Sequence, residues 1–114
     1  MIRNRSNVLL QEWSPSHFAW SLTDRNEVSI KVEEIPVAGH SDAHYHKESR
    51  QFFFILEGRA KVDLTEGGYM LKRFDGIEIP TESMHQISNI GEEKLLFLLI
   101  SWPKVQEHDV HKSN

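Results

Sequence analysis

The sequence has no cysteine in 114 residues. That absence excludes a disulfide framework, a thiolate zinc site, an iron–sulfur cluster and a cysteine nucleophile together. Long hydrophobic runs are missing too. The longest, Phe52 to Leu56 and Leu95 to Ile100, fall far short of the roughly 20 apolar residues that a membrane span needs. Near the N-terminus only Val8-Leu9-Leu10 separates the basic Arg3 and Arg5 from Gln11 and Glu12, too little for the core of a secretion signal. A cytoplasmic protein with no membrane partner is therefore expected. Positive charge is also short: 13 basic residues face 17 acidic ones, a formal charge of −4. Nucleic acid as a partner is disfavoured, since it calls for a basic patch that releases counterions. There is no internal repeat, Gly-rich phosphate loop, Gly-x-Ser-x-Gly elbow or His-Glu-x-x-His helix.

What the chain does have is seven histidines and strand-like alternation. Val28 to Ile35 reads as a strand that alternates apolar and polar over its first five residues, the period of a strand with one wet face. Phe52-Phe53-Phe54-Ile55-Leu56 is continuously apolar and closed by Glu57-Gly58, which predicts a strand buried on both faces. Ala60 to Leu64 alternates again, a turn is expected at Glu66-Gly67-Gly68, and Tyr69 to Lys72 returns. Ile77-Glu78-Ile79 stops at Pro80, His85 to Asn89 alternates, and Leu95 to Ser101 reads as a last, fully buried strand. A short helix over Asn7 to Trp13 is the only helical candidate. The fold class is all-β, a sandwich or barrel. One domain is expected over residues 1–114, with a core of about 17–103; 1–16 and 104–114 are polar and peripheral.

His44-Tyr45-His46 places two imidazoles on one face of an extended segment. Gln51 follows, and Pro80-Thr81-Glu82-Ser83-Met84-His85 leads a third histidine into another strand. Adjacent strands of a barrel could gather three imidazoles and an amide oxygen on one divalent first-row metal, leaving room for water or substrate. The spacing Gly39-x4-His44-x-His46-x4-Gln51-x6-Gly58 resembles the first motif of the cupin family, and Pro80-x4-His85-x3-Asn89 resembles the second. The resemblance implies a cupin double-stranded β-helix, a jelly-roll β-barrel, with metal ligands at His44, His46, Gln51 and His85. The ion would be Mn, Fe, Co, Ni, Cu or Zn. This chain departs from the family at three positions: Gln51 stands where glutamate is commoner, and Phe74 and Glu82 stand where the motif has glycine. Dimers are common among small cupins, and an outward row of Phe52, Phe54 and Leu56 would suit a homodimer.

Gln51 is the informative departure. With a neutral amide the ion keeps its full double charge, which acidifies bound water and attracts a substrate oxygen more strongly. The set also lacks a general base. The resulting expectation is an isomerase, cyclase or lyase acting as a Lewis acid on a small oxygen-rich substrate, a sugar acid or keto-enol compound. The alternatives are a metal-dependent dioxygenase and a non-catalytic small-molecule sensor. Strand alternation puts Phe53 and Ile55 beside the metal, with Ile87 on the face of His85. Met84 and Trp20 are candidate pocket walls, and His40 and His17 could reach the mouth as acid–base groups. His108-Asp109-Val110-His111 reads as a solvated tail.

Overall fold

A computed structural model describes residues 1–112. It consists of β1 Leu10–Ser14, β2 His17–Asp24, β3 Ser29–Ile35, β4 Arg50–Glu57, β5 Ala60–Leu64, β6 Gly67–Leu71, β7 Gly76–Ile79, β8 His85–Asn89 and β9 Leu95–Trp102, with a single 3-10 turn at Glu107–Asp109. One sheet has the order β1-β2-β3-β9-β4-β7 and the other β6-β5-β8. Every strand pairing is antiparallel. The segment 40–45 extends the smaller sheet by bridges His40–Ser88 and His44–His85, and Tyr45 bridges onward to His111. This is the all-β jelly roll that the resemblance implies.

Burial follows the period of two. In β4, Gln51, Phe53 and Ile55 face inward and are buried, while Phe52, Phe54 and Leu56 are half-buried. The two apolar runs each cover one face only, contrary to the two-sided burial expected of them, because the molecule has just two layers. Inward positions change character along the strands. Gln51 pairs with Ser101, and Ser101 with Ser29, so one end of the large sheet's inner face is polar. At the other end Ile35, Ile55, Leu95 and Phe97 join Ala60, Val62 and Leu71 from the facing sheet in the apolar core. Each of the larger side chains among these contributes about 1.5–3 kcal/mol by its burial. The core holds one end of the sandwich shut and leaves the other end free for polar groups.

Three local expectations are corrected. Residues 10–14 form an edge strand beside β2 rather than a helix, since the turn Ser14–His17 folds them back onto Phe18, Ala19 and Trp20. The hairpin turn falls on Thr65-Glu66, because Gly67 already pairs with Leu64. The segment after Pro103 is held against the body of the protein; Lys104 donates from its backbone N–H to the Asn26 carbonyl (3.0 Å), and Asp109 is only 2% exposed. Phe74 and Glu82 adopt φ of 71° and 65°, the left-handed conformation that favours glycine. The backbone shape of the two family turns is therefore kept without the residue that makes it easy.

Candidate metal centre

His44 and His46 lie on the bridge strand, and His85 opens β8 directly across from His44. Alternation along His44-Tyr45-His46 sends both imidazoles to the interior and Tyr45 outward, where it stacks on His111 (5.0 Å between ring centroids). The three imidazole centroids are 4.5–5.3 Å apart. One nitrogen from each falls within 4.8 Å of the others. A group of this kind could hold a metal ion.

The orientation of each ring is set by the main chain. Nδ1 of His44 is 2.8 Å from the Asp42 carbonyl, that of His46 2.8 Å from the Asp109 carbonyl, and that of His85 2.9 Å from the Ser83 carbonyl. A carbonyl only accepts, so every Nδ1 must carry the proton and every Nε2 must present a bare lone pair. Gln51 Nε2 donates to Ser101 Oγ (3.0 Å), which leaves Oε1 as the free end of the amide. Four buried side-chain polar atoms lack a partner among the described residues, and three of them are His46 Nε2, His85 Nε2 and Gln51 Oε1. Leaving a buried acceptor unpaired costs about 1–3 kcal/mol. Unpaired ring nitrogens and an amide oxygen on residues lining one cavity suit a divalent cation by their chemistry.

Protonation reinforces the arrangement. Burial pushes the His85 imidazole down to about 4, with the Ser83 carbonyl opposing and His44 and His46 adding to the effect. Burial likewise lowers His44, against the pull of the Asp42 carbonyl. Both rings are neutral near pH 7 and free to ligate.

The tail expected to be solvated turns out to fix the ligand loop. The Asp109 carboxylate accepts the backbone N–H groups of Lys47 (2.8 Å), Glu48 (3.0 Å) and Ser49 (3.3 Å), directly after His46. Burial works against its ionisation, yet those three donors and His111 outweigh it and hold the carboxyl below the usual range. Tyr45 and His111 exchange two backbone bonds of 2.9 and 3.0 Å. His108 remains exposed, 3.4 Å from Glu48. The sequence around Asp109 carries no signal of this role, since Glu107, His108, His111 and Lys112 make the segment polar and the carboxylate's partners lie about 60 residues away.

The trio opens into a cavity of about 440 Å³, and of the expected wall residues Phe53, Ile87 and His40 line it. Ile55, Met84 and Trp20 do not. Ile55 is fully buried in the apolar core. Met84 is half-buried, its N–H on Thr65 Oγ1. Trp20 is on the outer face of β2 beneath Arg5, because β2 turns its small and polar positions inward. His17, expected at the mouth, also lines the cavity, but buried beside Glu33. Three contributors were not anticipated: Trp13 with Lys31 over its ring at 5.3 Å, the serines Ser29 and Ser101, and Glu33 itself. The one clue to Glu33 was the break in alternation at Glu33-Glu34, where one of two adjacent acids has to face inward.

Residues 31–101 match the profile of the family described as Cupin domain. An uncharacterised protein of Methanocaldococcus jannaschii is 35% identical over 81 residues, 71% of this chain and 65% of its own length. Polyketide synthase CurC of Streptomyces cyaneus is 37% identical over 51 residues, 45% of this chain and 33% of its own. The chain thus spans a third to just under two thirds of the length of these relatives. The solved structure of KdgF from Halomonas sp. superposes with a TM-score of 0.85 at 15% identity, over 95% of this chain and 97% of that one, a likeness of fold alone.

Proposed function

The chain belongs to the cupin family, and from that premise we propose that it binds a divalent transition metal through His44, His46, Gln51 and His85 and acts as a Lewis-acid isomerase, cyclase or lyase on a small oxygen-rich molecule. The observation that carries the reading is three histidines whose ligand nitrogens lie within 4.8 Å of one another, their Nε2 lone pairs bared by backbone carbonyls, with the unpaired Gln51 Oε1 on a residue lining the same cavity. A bound cation would polarise a carbonyl or bring the pKa of water toward neutrality. The protein's own residues supply the rest. Phe53, Ile87, Phe97 and Leu99 give the cavity apolar walls, and Lys31 offers a cation to an acidic substrate group. The cavity volume lies in the range that suits a single small molecule.

The amide ligand favours this chemistry over the oxygen chemistry of a dioxygenase, whose ligand set usually includes a carboxylate. A sensor that holds its ligand without turnover uses the same cavity, and turnover separates the two. The half-buried outer aromatics Phe52 and Phe54, with Phe54 stacked on Phe74 (6.2 Å), support a homodimer, which light scattering would measure.

The experiment is elemental analysis of protein made without a histidine tag under metal-replete expression, beside His85→Ala. The reading expects near-stoichiometric metal in the parent and little in the variant; below about one-tenth equivalent in the parent, it fails. NMR of uronates and keto-enol compounds then tests ring-opening and isomerisation, and oxygen uptake tests the dioxygenase alternative.

A further inference from the structure

We infer that His17 and Glu33 are the proton-transfer pair of the cavity, moving a proton on and off a carbon next to a carbonyl in a hydroxy-ketone acid; the inference rests on the Lewis-acid reading above. His17 Nε2 lies 3.0 Å from Glu33 Oε1, and the two side chains are 8% and 10% exposed. Glu33 pairs across the sheet with Ala19, so His17 is its diagonal neighbour two residues along β2 on the same inner face. Both line the cavity that the three imidazoles enter.

Structural need does not account for this pair. Its neighbours on that face include Ala19, Ile35 and Phe97, all buried, where apolar side chains would serve at least as well as a desolvated imidazole–carboxylate pair. Chemical need does. The proposed ligands include no base: each imidazole gives Nδ1–H to a carbonyl and turns Nε2 to the centre, and the amide is neutral. Among the other described titratable groups around the cavity, none combines burial with a buried carboxylate on one ring nitrogen as His17 does. Asp24 is paired with Lys104 at 2.8 Å and Asp42 with Lys112 at 3.1 Å. The exposed His40 ring is engaged with Ser41 and Gln86.

With Glu33 accepting from Nε2–H, the bare nitrogen of His17 is Nδ1, for which no partner exists among the described residues. A base oriented by a carboxylate on its far nitrogen is the arrangement that activates imidazoles in hydrolytic triads. In the step, the C–H bond next to the carbonyl breaks toward Nδ1. Its electron pair forms a carbon–carbon double bond while the carbonyl π pair moves to oxygen. The imidazolium then returns a proton to carbon as the electrons flow back, with no net oxidation.

The test uses the full chain loaded with zinc. Long-range proton–nitrogen NMR of the ¹⁵N-labelled protein should show His17 protonated at Nε2 and bare at Nδ1, and Glu33→Gln should shift the balance of tautomers. In D₂O with 5-keto-gluconate as the probe, the parent should exchange hydrogen next to the ketone. Glu33→Gln and His17→Gln should each slow that exchange about 100-fold or more while zinc content and melting temperature stay close to the parent's. Exchange by His17→Gln within threefold of the parent, a proton on Nδ1, or no exchange by the parent would each overturn the assignment. Zinc-free protein that exchanges as fast as the loaded form would sink the metal reading instead, and the His17→Gln comparison would still decide the pair.

Discussion

Replacing Asp109 tests whether the C-terminal segment governs the metal loop. Asp109→Ala deletes an acceptor of three backbone bonds, two of them 2.8 and 3.0 Å and one 3.3 Å. Hydrogen bonds to charged groups contribute about 1.5–3 kcal/mol each. Counting the two short ones, and allowing water to reach the partly buried donors, the loss is about 3–4 kcal/mol out of a typical 5–15. For a domain of this size that lowers the melting temperature by roughly 12 °C. Asp109→Asn keeps one oxygen but turns an NH₂ toward a backbone N–H, and should cost about half as much. The bond from His46 Nδ1 goes to the Asp109 carbonyl (2.8 Å), so both variants loosen that ring. Losing such an outer partner typically costs 10–100-fold in metal affinity. Calorimetric titration with Co²⁺, alongside thermal melts of the metal-free proteins, measures the two effects separately. A folded Asp109→Asn whose Co²⁺ affinity stays within threefold of the parent's would refute the claim that the segment orients His46. An unchanged melting temperature for Asp109→Ala would refute the anchoring role of the carboxylate.

Metal-free protein should lose stability as pH falls from about 6.5 toward 4, because the unfolded chain then binds protons that buried His85 and His44 reject. For His85 alone the loss approaches a size on the order of 3 kcal/mol; Asp109, whose carboxyl is depressed, adds a further loss only below its ordinary range near 3.8. Urea melts across that window check the slope, and a flat profile would contradict it. Glu82→Gly should raise stability by about 0.5–1 kcal/mol, since it relieves a side chain held at φ 65°; a lower melting temperature would count against strain there. Gln51→Glu should strengthen Co²⁺ binding about tenfold or more by adding a negative donor while cutting Lewis-acid turnover, and titration beside an activity assay tests both halves.

The strands of the core were legible in the sequence because alternation and turn residues are local. Seven of the nine strands match expected runs to within one or two residues, as with Ala60–Leu64 and His85–Asn89. β2 escaped notice because its inward residues, His17, Ala19 and Ser21, are small or polar, while its large residues Phe18 and Trp20 point outward. The histidine trio could be found through two spaced motifs. Asp109 could not, since its meaning depends on contacts that only the fold creates. Glu33 was half visible: the sequence shows that one of two adjacent acids must be buried, but nothing in it names His17 as the partner.

The three ring anchors share a property with consequences for how this site can change over generations. All three are main-chain oxygens, and at Asp42 and Ser83 the side chains take no part in orienting the rings. Every amino acid has a carbonyl, so substitutions at those positions leave the rings aimed as before. Wall residues such as Lys31 and Leu99 make no hydrogen bond to the rings, whereas Phe53 packs edge-on against His85 at 5.9 Å between centroids. Selection can therefore rework the chamber for a new small molecule, one side chain at a time, without disturbing the backbone that aims the three histidines. Asp109 is the exception, because its own side chain clamps the loop, and that makes it the position where drift would be least tolerated.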